Sequence, residues 1–434
     1  MAVLDTGPID NRFAPRTTQL VIRLFNTGRL PAIAGVEAYY MNPSGDGFTS
    51  ETLYVVELVA LNPFGTPGSG FTADNVFANL DVFGVRVITS GLGANDIAVT
   101  VSEIGSDGQI LKEHVLEGEL TRIQELLFAY VASPGSSTVT AINTATNTMT
   151  RIPVGSNPNG IGITIDGTRA YVADSGNDTV AVINTATNTI LTTIPFPAGS
   201  EPQRIAITPD NLRAYVTNSS ADNVTVINTA TNTIFTVIPF PAGNAPTGIA
   251  ITPDGSRAYV TNDGDITVTV IETATNTIFA TVPFPPGSEP NRVAITPDGT
   301  RAYVTDGSIF GPSSVRVIST FANVIVATIP FPAGSLPFGI AITPDGSRAY
   351  VANNDNDTVT VINTAANTIF TTIPLLAGSG PLEIAITPDG SRAYVTNIDN
   401  FSVTVIDTAL NAVIANLPVA VSPRGIAITP ILLF

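Results

Sequence analysis

A chain of 434 residues, 44% apolar and only 12% charged, has the material for one large core or several smaller ones. Its net charge of −17 divides about evenly between the first 125 residues and the rest, so no basic surface is evident and general nucleic-acid binding is excluded; that needs clustered Lys and Arg to displace counterions. No Cys is present, which removes disulfides, thiolate nucleophiles and thiolate metal sites.

The N-terminus, MAVLDTGPIDNRFAPR, carries acidic residues and no apolar stretch of the kind a secretory signal has. Residues 1–16 read as an extended arm. From there the spacing predicts strands at 18–25, 33–40, 52–60, 71–82, 84–90, 97–103 and 109–116, separated by Gly, Pro and Asn clusters such as NPSGDG. Seven short strands in this length predict a β-sandwich over 17–125, Ig-like or jelly-roll-like. His114, the only histidine, falls on the last of these strands beside Lys112 and reads as an ordinary half-exposed residue. One His without Cys supplies neither a metal cluster nor a Ser-His-Asp triad with its G-x-S-x-G elbow. Residues 117–127 form the join.

From Phe128 the chain repeats itself. Ala-Tyr-Val recurs at Tyr130, Tyr171, Tyr215, Tyr259, Tyr303, Tyr350 and Tyr394, at spacings of 41 to 47 residues. A strand of the type GIAIT also recurs seven times. One unit reads GIAITPDGSRAYVTN…TVTVINTATNTIFTTIPFPAG, four short strands separated by turns, which is the pattern of one propeller blade. Uncharged stretches such as 223–253 alternate Thr with Val and Ile, so they read as strands and not as a membrane span. The expected fold is therefore all-β: a seven-bladed β-propeller over 126–434, preceded by the small sandwich.

The phase of the repeat predicts how the ring closes. The first copy lacks its GIAIT strand and the last copy ends with one, so the strand at 425–430 should complete the blade formed by 128–133, 138–143 and 148–153. An insertion at 306–312 accounts for the 47-residue spacing and would expose Ile309 and Phe310 as a surface loop.

Features present once per blade read as architecture. The PDG turns carry Asp210, Asp254, Asp298, Asp345 and Asp389, each with an Arg three residues on, and the expected role is a turn cap paired with that Arg. The loops after the Tyr-Val strand are rich in Asn and Asp, for example Asp174, Asn177 and Asp178. Ca²⁺ is the ion such oxygen ligands would hold, although turn chemistry explains them more simply and no other cofactor is indicated. Function is expected where the copies differ. Two variable residues follow the Pro before each inner strand, and they should line the mouth of the central channel. Among them Arg204, Arg292, Phe338, Glu383 and Arg424 form a candidate site for an anionic or sugar-like ligand; the alternative is that they only fill and hydrogen-bond the channel.

The run Tyr-Val-Thr-Asn at 259–262 and 394–397 resembles the YVTN family of β-propeller repeats, over about 128–430. That resemblance implies a seven-bladed ring and a location on or outside the cell. The N-terminal region loosely resembles small domains on surface proteins of spore-forming Gram-positive bacteria. Together with low charge and a near-uniform repeat, these readings lead to the expectation of a non-enzymatic, structural or adhesive protein of a cell or spore surface. It would self-associate or meet other surface proteins through the arm and the sandwich, by strand addition. A soluble propeller that binds a glycan or peptide is the first alternative, and a lactonase-like hydrolase working at the channel mouth is the second.

Overall fold

The computed structural model describes the strands of residues 2–115 as backbone, and residues 127–308 and 313–430 in full. The chain divides into two compact units between residues 125 and 126. In the first unit, Ala2–Asp5, Val82–Ser90, Ala32–Ser44 and Gly47–Leu61 pair in that order, with Ile9–Asp10 also on Val82–Ser90. A second sheet runs Gly70–Phe77, Thr17–Asn26, Ile97–Gly105, Ile110–Val115. All pairings are antiparallel. Each of the seven expected strands overlaps an observed one, and His114 stands opposite Val101.

The second unit is a seven-bladed propeller of four-stranded antiparallel sheets. Blade two is typical: inner strand Pro158–Ile163, then Arg169–Asp174, Thr179–Asn184 and outer strand Thr189–Pro195. Blades three to seven repeat it in sequence. Blade one is assembled from both ends, as the register of the repeat requires. Phe128–Ser133, Thr138–Asn143 and Met149–Pro153 come from its start, and Ile426–Ile428 pairs with Phe128–Ser133 as the inner strand. Phe128 N donates to Thr429 Oγ1, and Thr429 N donates back to Phe128 O, both at 2.9 Å. Of the insertion in blade five, 309–312, with Ile309 and Phe310, lie outside the described residues.

The two middle strands of each blade are not half-buried in alternation. In Arg169–Asp174 every residue after the Arg is fully buried, because each sheet packs between two neighbouring sheets and both of its faces are covered. The inner strand is half-buried along the channel, and the outer strand is the most exposed, with Phe235, Phe279 and Phe370 about half exposed.

The repeated tyrosine staples one blade to the next. Tyr215 is fully buried, and its hydroxyl donates to Asn276 Oδ1 at 2.6 Å and Thr273 O at 3.3 Å, in the third-to-outer turn of the following blade. Asn276 holds φ of 54°, a left-handed turn position that Asn tolerates. Tyr130, Tyr171, Tyr259, Tyr303 and Tyr350 make the same two bonds. Tyr394 donates to Thr144 O and completes the circle into blade one. Burial pushes the Tyr215 hydroxyl up to about 12. Tyr215→Phe should cost about 1 kcal/mol through lost pairing at one interface. Urea unfolding checks this, and an unchanged midpoint would mean the bond contributes nothing.

The PDG turns are caps, but the expected pairing with Arg does not form. Asp254 accepts from Ser256 N at 3.0 Å and from Thr252 Oγ1 at 2.5 Å, so the turn's own donors satisfy it. Its Arg reaches elsewhere: Arg257 lies 4.0 Å from the centroid of Phe279 and pairs with Glu272. Arg213 and Arg348 cover Phe235 and Phe370 in the same way. In blades two, five and seven, Arg169, Arg301 and Arg392 instead donate to the Thr229, Thr364 and Thr144 carbonyls of the next blade. The guanidinium is long enough to leave the turn, and an aromatic face or an orphan carbonyl gives it more than a carboxylate already bonded three ways.

Candidate functional site at the channel mouth

The inner strands of blades two to seven begin with Pro, and in blade one Pro423 precedes the strand; the second residue after the Pro alternates in size around the ring. Blades two to seven carry Gly160, Arg204, Gly248, Arg292, Gly339 and Glu383, and blade one carries Gly425. The glycines are required by close approach. A Cβ on Gly160 would lie 2.4 Å from Gln203 O, and one on Gly425 would lie 2.0 Å from Asn159 O. Small and large positions can alternate cleanly only in an even ring. With seven blades two like residues must be neighbours, and they are the glycines Gly425 and Gly160 of blades one and two.

The three large side chains come from blades three, five and seven and meet. Glu383 Oε1 accepts from Arg204 Nη2 at 2.6 Å, from Arg204 Nε at 3.3 Å and from Arg292 Nε. All three side chains are about 11–12% exposed. Their backbones are fixed by the Thr of each second strand: Thr217, Thr305 and Thr396 accept from the N–H of Arg204, Arg292 and Glu383. Phe338 of blade six stacks on Arg292, whose guanidinium carbon lies 4.4 Å from the ring centroid. Burial would raise the Glu383 carboxyl, but Arg292 and Arg204 hold it below its ordinary value. Burial, with Arg204 adding to it, brings Arg292 down to about 10.

Arg424 stands apart from this cluster. It makes no ion pair among the described residues, and its buried Nε has no hydrogen-bond partner. Burial and the charge of Arg204 lower its pKa. It borders a pocket of about 440 Å³ lined by Asn157, Asn159, Ser175, Asp178, Glu201 and Gln203, with Gly176 and Gly199. Asn159 links pocket and cluster: its Oδ1 accepts from Arg204 Nη1 at 2.6 Å and its amide donates to Gln203 Oε1. Of the five residues expected at the site, four are thus engaged with one another, while Arg424 borders the pocket.

Glu201 was not among the expected site residues. It precedes Pro202 with φ of 51°, is exposed, and accepts from Ser220 Oγ at 2.6 Å. The signal was there just before the Pro, two residues ahead of the variable pair: the same place holds Asn157, Ala245, Glu289, Leu336, Gly380 and Ser422 in the other copies. Asp178 belongs to the loops considered for Ca²⁺. Its two oxygens accept from Gly199 N and Glu201 N at 2.7 Å, tying blade two to the start of blade three. Asp222 ties blade three to blade four, and Asp357 blade six to blade seven, in the same way. Among the described residues no group of three or more His, Asp or Glu is placed to hold a metal ion. None of their helices is long and apolar enough to cross a membrane.

This architecture defines the class, an all-β seven-bladed propeller with a charged channel mouth. Residues 154–308 match the family model described as lactonase, seven-bladed β-propeller. No curated protein matches the chain significantly. Among solved structures, a functionally unknown protein of Desulfotomaculum acetoxidans shares 21% identity at a TM-score of 0.60, covering 70% of this chain and 99% of that one. A candidate 6-phosphogluconolactonase of Bacteroides uniformis shares 18% at 0.58, covering 70% and 100%. The hydrazine synthase of Kuenenia stuttgartiensis shares 22% at 0.57, covering 62% and 88%. At such identities these structures speak for the fold alone.

The family match overturns the expectation of a non-enzymatic structural or adhesive surface protein: it points to an enzyme-like propeller. The comparisons also lend no support to self-association or to surface-protein or glycan partners. A near-uniform repeat suggests a durable scaffold. Uniformity reports only what each blade needs in order to pack, and it leaves the few residues at the mouth free to carry chemistry.

Proposed function

We propose that the protein is a lactonase-like hydrolase that opens a cyclic ester at the channel mouth. One observation carries this reading. The family match spans 154–308, and every lining residue of the pocket except Arg424 lies within that stretch. In such a reaction water adds to the acyl carbon, the bond to the ring oxygen breaks, and that oxygen takes a proton, leaving a hydroxy acid. Glu201 is the exposed carboxylate on the pocket wall and is suited to take the proton from water. Arg424, on the same pocket wall and without an acidic partner among the described residues, is the group placed to meet the negative charge that develops on the acyl oxygen. The test is acid release from a panel of five- and six-membered lactones. The expected result is turnover by the intact chain and a fall of about 100-fold in kcat/KM for Glu201→Gln. A chain that opens none of them removes the hydrolase reading, and an unimpaired Glu201→Gln removes the role of Glu201.

Two finer readings accompany this one. The resemblance to YVTN repeats remains our reading of the blade sequence, supported by Tyr-Val-Thr-Asn recurring in register. A sandwich for 17–125 is supported by the grouping of its strands into two antiparallel sheets.

A further inference from the structure

The ring is joined at its weakest point beside its one unpaired channel-mouth arginine. Inner strands elsewhere run six residues, as in Pro246–Ile251, whereas the closing strand Ile426–Ile428 runs three and pairs only with Ala129, Tyr130 and Val131. The turn before it is held by few bonds. Arg424 N donates to Ala132 O at 2.8 Å, Ala132 N to Gly425 O at 2.9 Å, and Gly425 N to Asn159 O at 3.0 Å, while Thr396 Oγ1 donates to Arg424 O at 2.8 Å. Arg424 is therefore carried by the seam itself, and the other pocket walls belong to blades two and three.

We infer that the pocket beside Arg424 is a small-oxyanion site, and that a carboxylate or phosphate bound there locks the ring closed by tying the closing segment to blades two and three. No hydrogen bond or ion pair among the described residues engages the Arg424 guanidinium, so its outer nitrogens at the pocket can bond a planar or tetrahedral oxyanion. Asn157, Asn159, Ser175 and Gln203 give the same space a polar wall, while Asp178 and Glu201 set a limit on how much negative charge it accepts. Detaching the closing strand removes Arg424 from the pocket and so destroys the site. By linkage, whatever binds the site must oppose that detachment. This inference stands on geometry and does not need the hydrolase reading.

Hydrogen exchange on the full chain tests it, with inorganic phosphate and acetate added in separate arms against chloride at equal ionic strength. The expected result is saturable slowing at Ala132 N and across 129–131, about 100-fold at one hundred times Kd, with little change at Val260 and Tyr259 in blade four. Phosphate acting alone would name a phosphate site, and acetate acting alone a carboxylate site. Arg424→Gln should abolish the effect while Arg213→Gln, on the outer rim, retains it. Absence of saturable binding overturns the inference, as does equal slowing in blade four or an effect that survives Arg424→Gln. Lactone turnover is read separately, so seam protection without turnover would sink only the hydrolase reading, and turnover without seam protection only this one.

Discussion

A chain that stops at Ser422 is expected to lose roughly 4–6 kcal/mol of propeller stability, from the half-buried Ile426 and Ile428 and the backbone bonds of the seam. The closing strand does more than add area. Ala129, Val131 and Ile142 of blade one share a core cluster with Tyr394, Val403 and Val405 of blade seven, and Ile426 and Ile428 pack against it. Without that strand, Phe128–Ser133 becomes a free edge, and blade one is held to blade seven only by that shared cluster and the bonds of Tyr394 and Arg392 to Thr144 O. A broken ring behaves as a linear array, whose end repeats open first. Urea unfolding of the truncated chain should show an early midpoint, and limited proteolysis should cut near 128–143 before any other blade. A truncated chain with the full-length midpoint would show that the seam is not what closes the ring.

The repeat made the ring legible, because seven copies offset by one strand can form complete blades only if the ends share one. What joins the blades was not legible. The Tyr215–Asn276 staple is a relation between two copies, and within any one copy the Tyr reads as core and the Asn as a turn residue. The Asp–Arg pairing in the PDG turns was a local inference, and it failed because the Arg is recruited across the blade to Phe279 or across the interface to a carbonyl. At the mouth, differences between copies did mark Arg204, Arg292, Phe338, Glu383 and Arg424. That Glu383 would take both Arg204 and Arg292 depends on the distance across the ring, which no linear spacing contains. Glu201 escaped because its neighbours in the other copies vary without pattern, so its chemistry shows only beside the pocket. The functional misreading has the same root: uniform blades describe a frame, and the frame is silent about the few residues set into it.

Glu383→Gln is expected to cost about 3–5 kcal/mol, the range for removing one partner of a buried ion pair. The loss is larger than that of a hydrogen bond because two guanidiniums, each about 11–12% exposed, would face each other across a neutral amide. Replacing Arg204, Glu383 and Arg292 together by Met, Leu and Met should restore most of the stability, since an apolar plug of similar volume leaves no charge behind. Acid gives an independent reading of the same group. Burial alone would raise the Glu383 pKa, but Arg292 and Arg204 bring it below the ordinary 4.5, so the unfolded chain takes up this proton more readily than the folded one. The carboxylate's contribution is therefore complete well above pH 4.5 and is lost as the pH falls through the lowered value. Urea midpoints of the native chain and of Glu383→Gln should then differ most at neutral pH and converge in acid. A difference that stays constant down to the lowest pH at which both chains fold would mean that the two arginines do not draw their hold on the channel from the charge of Glu383.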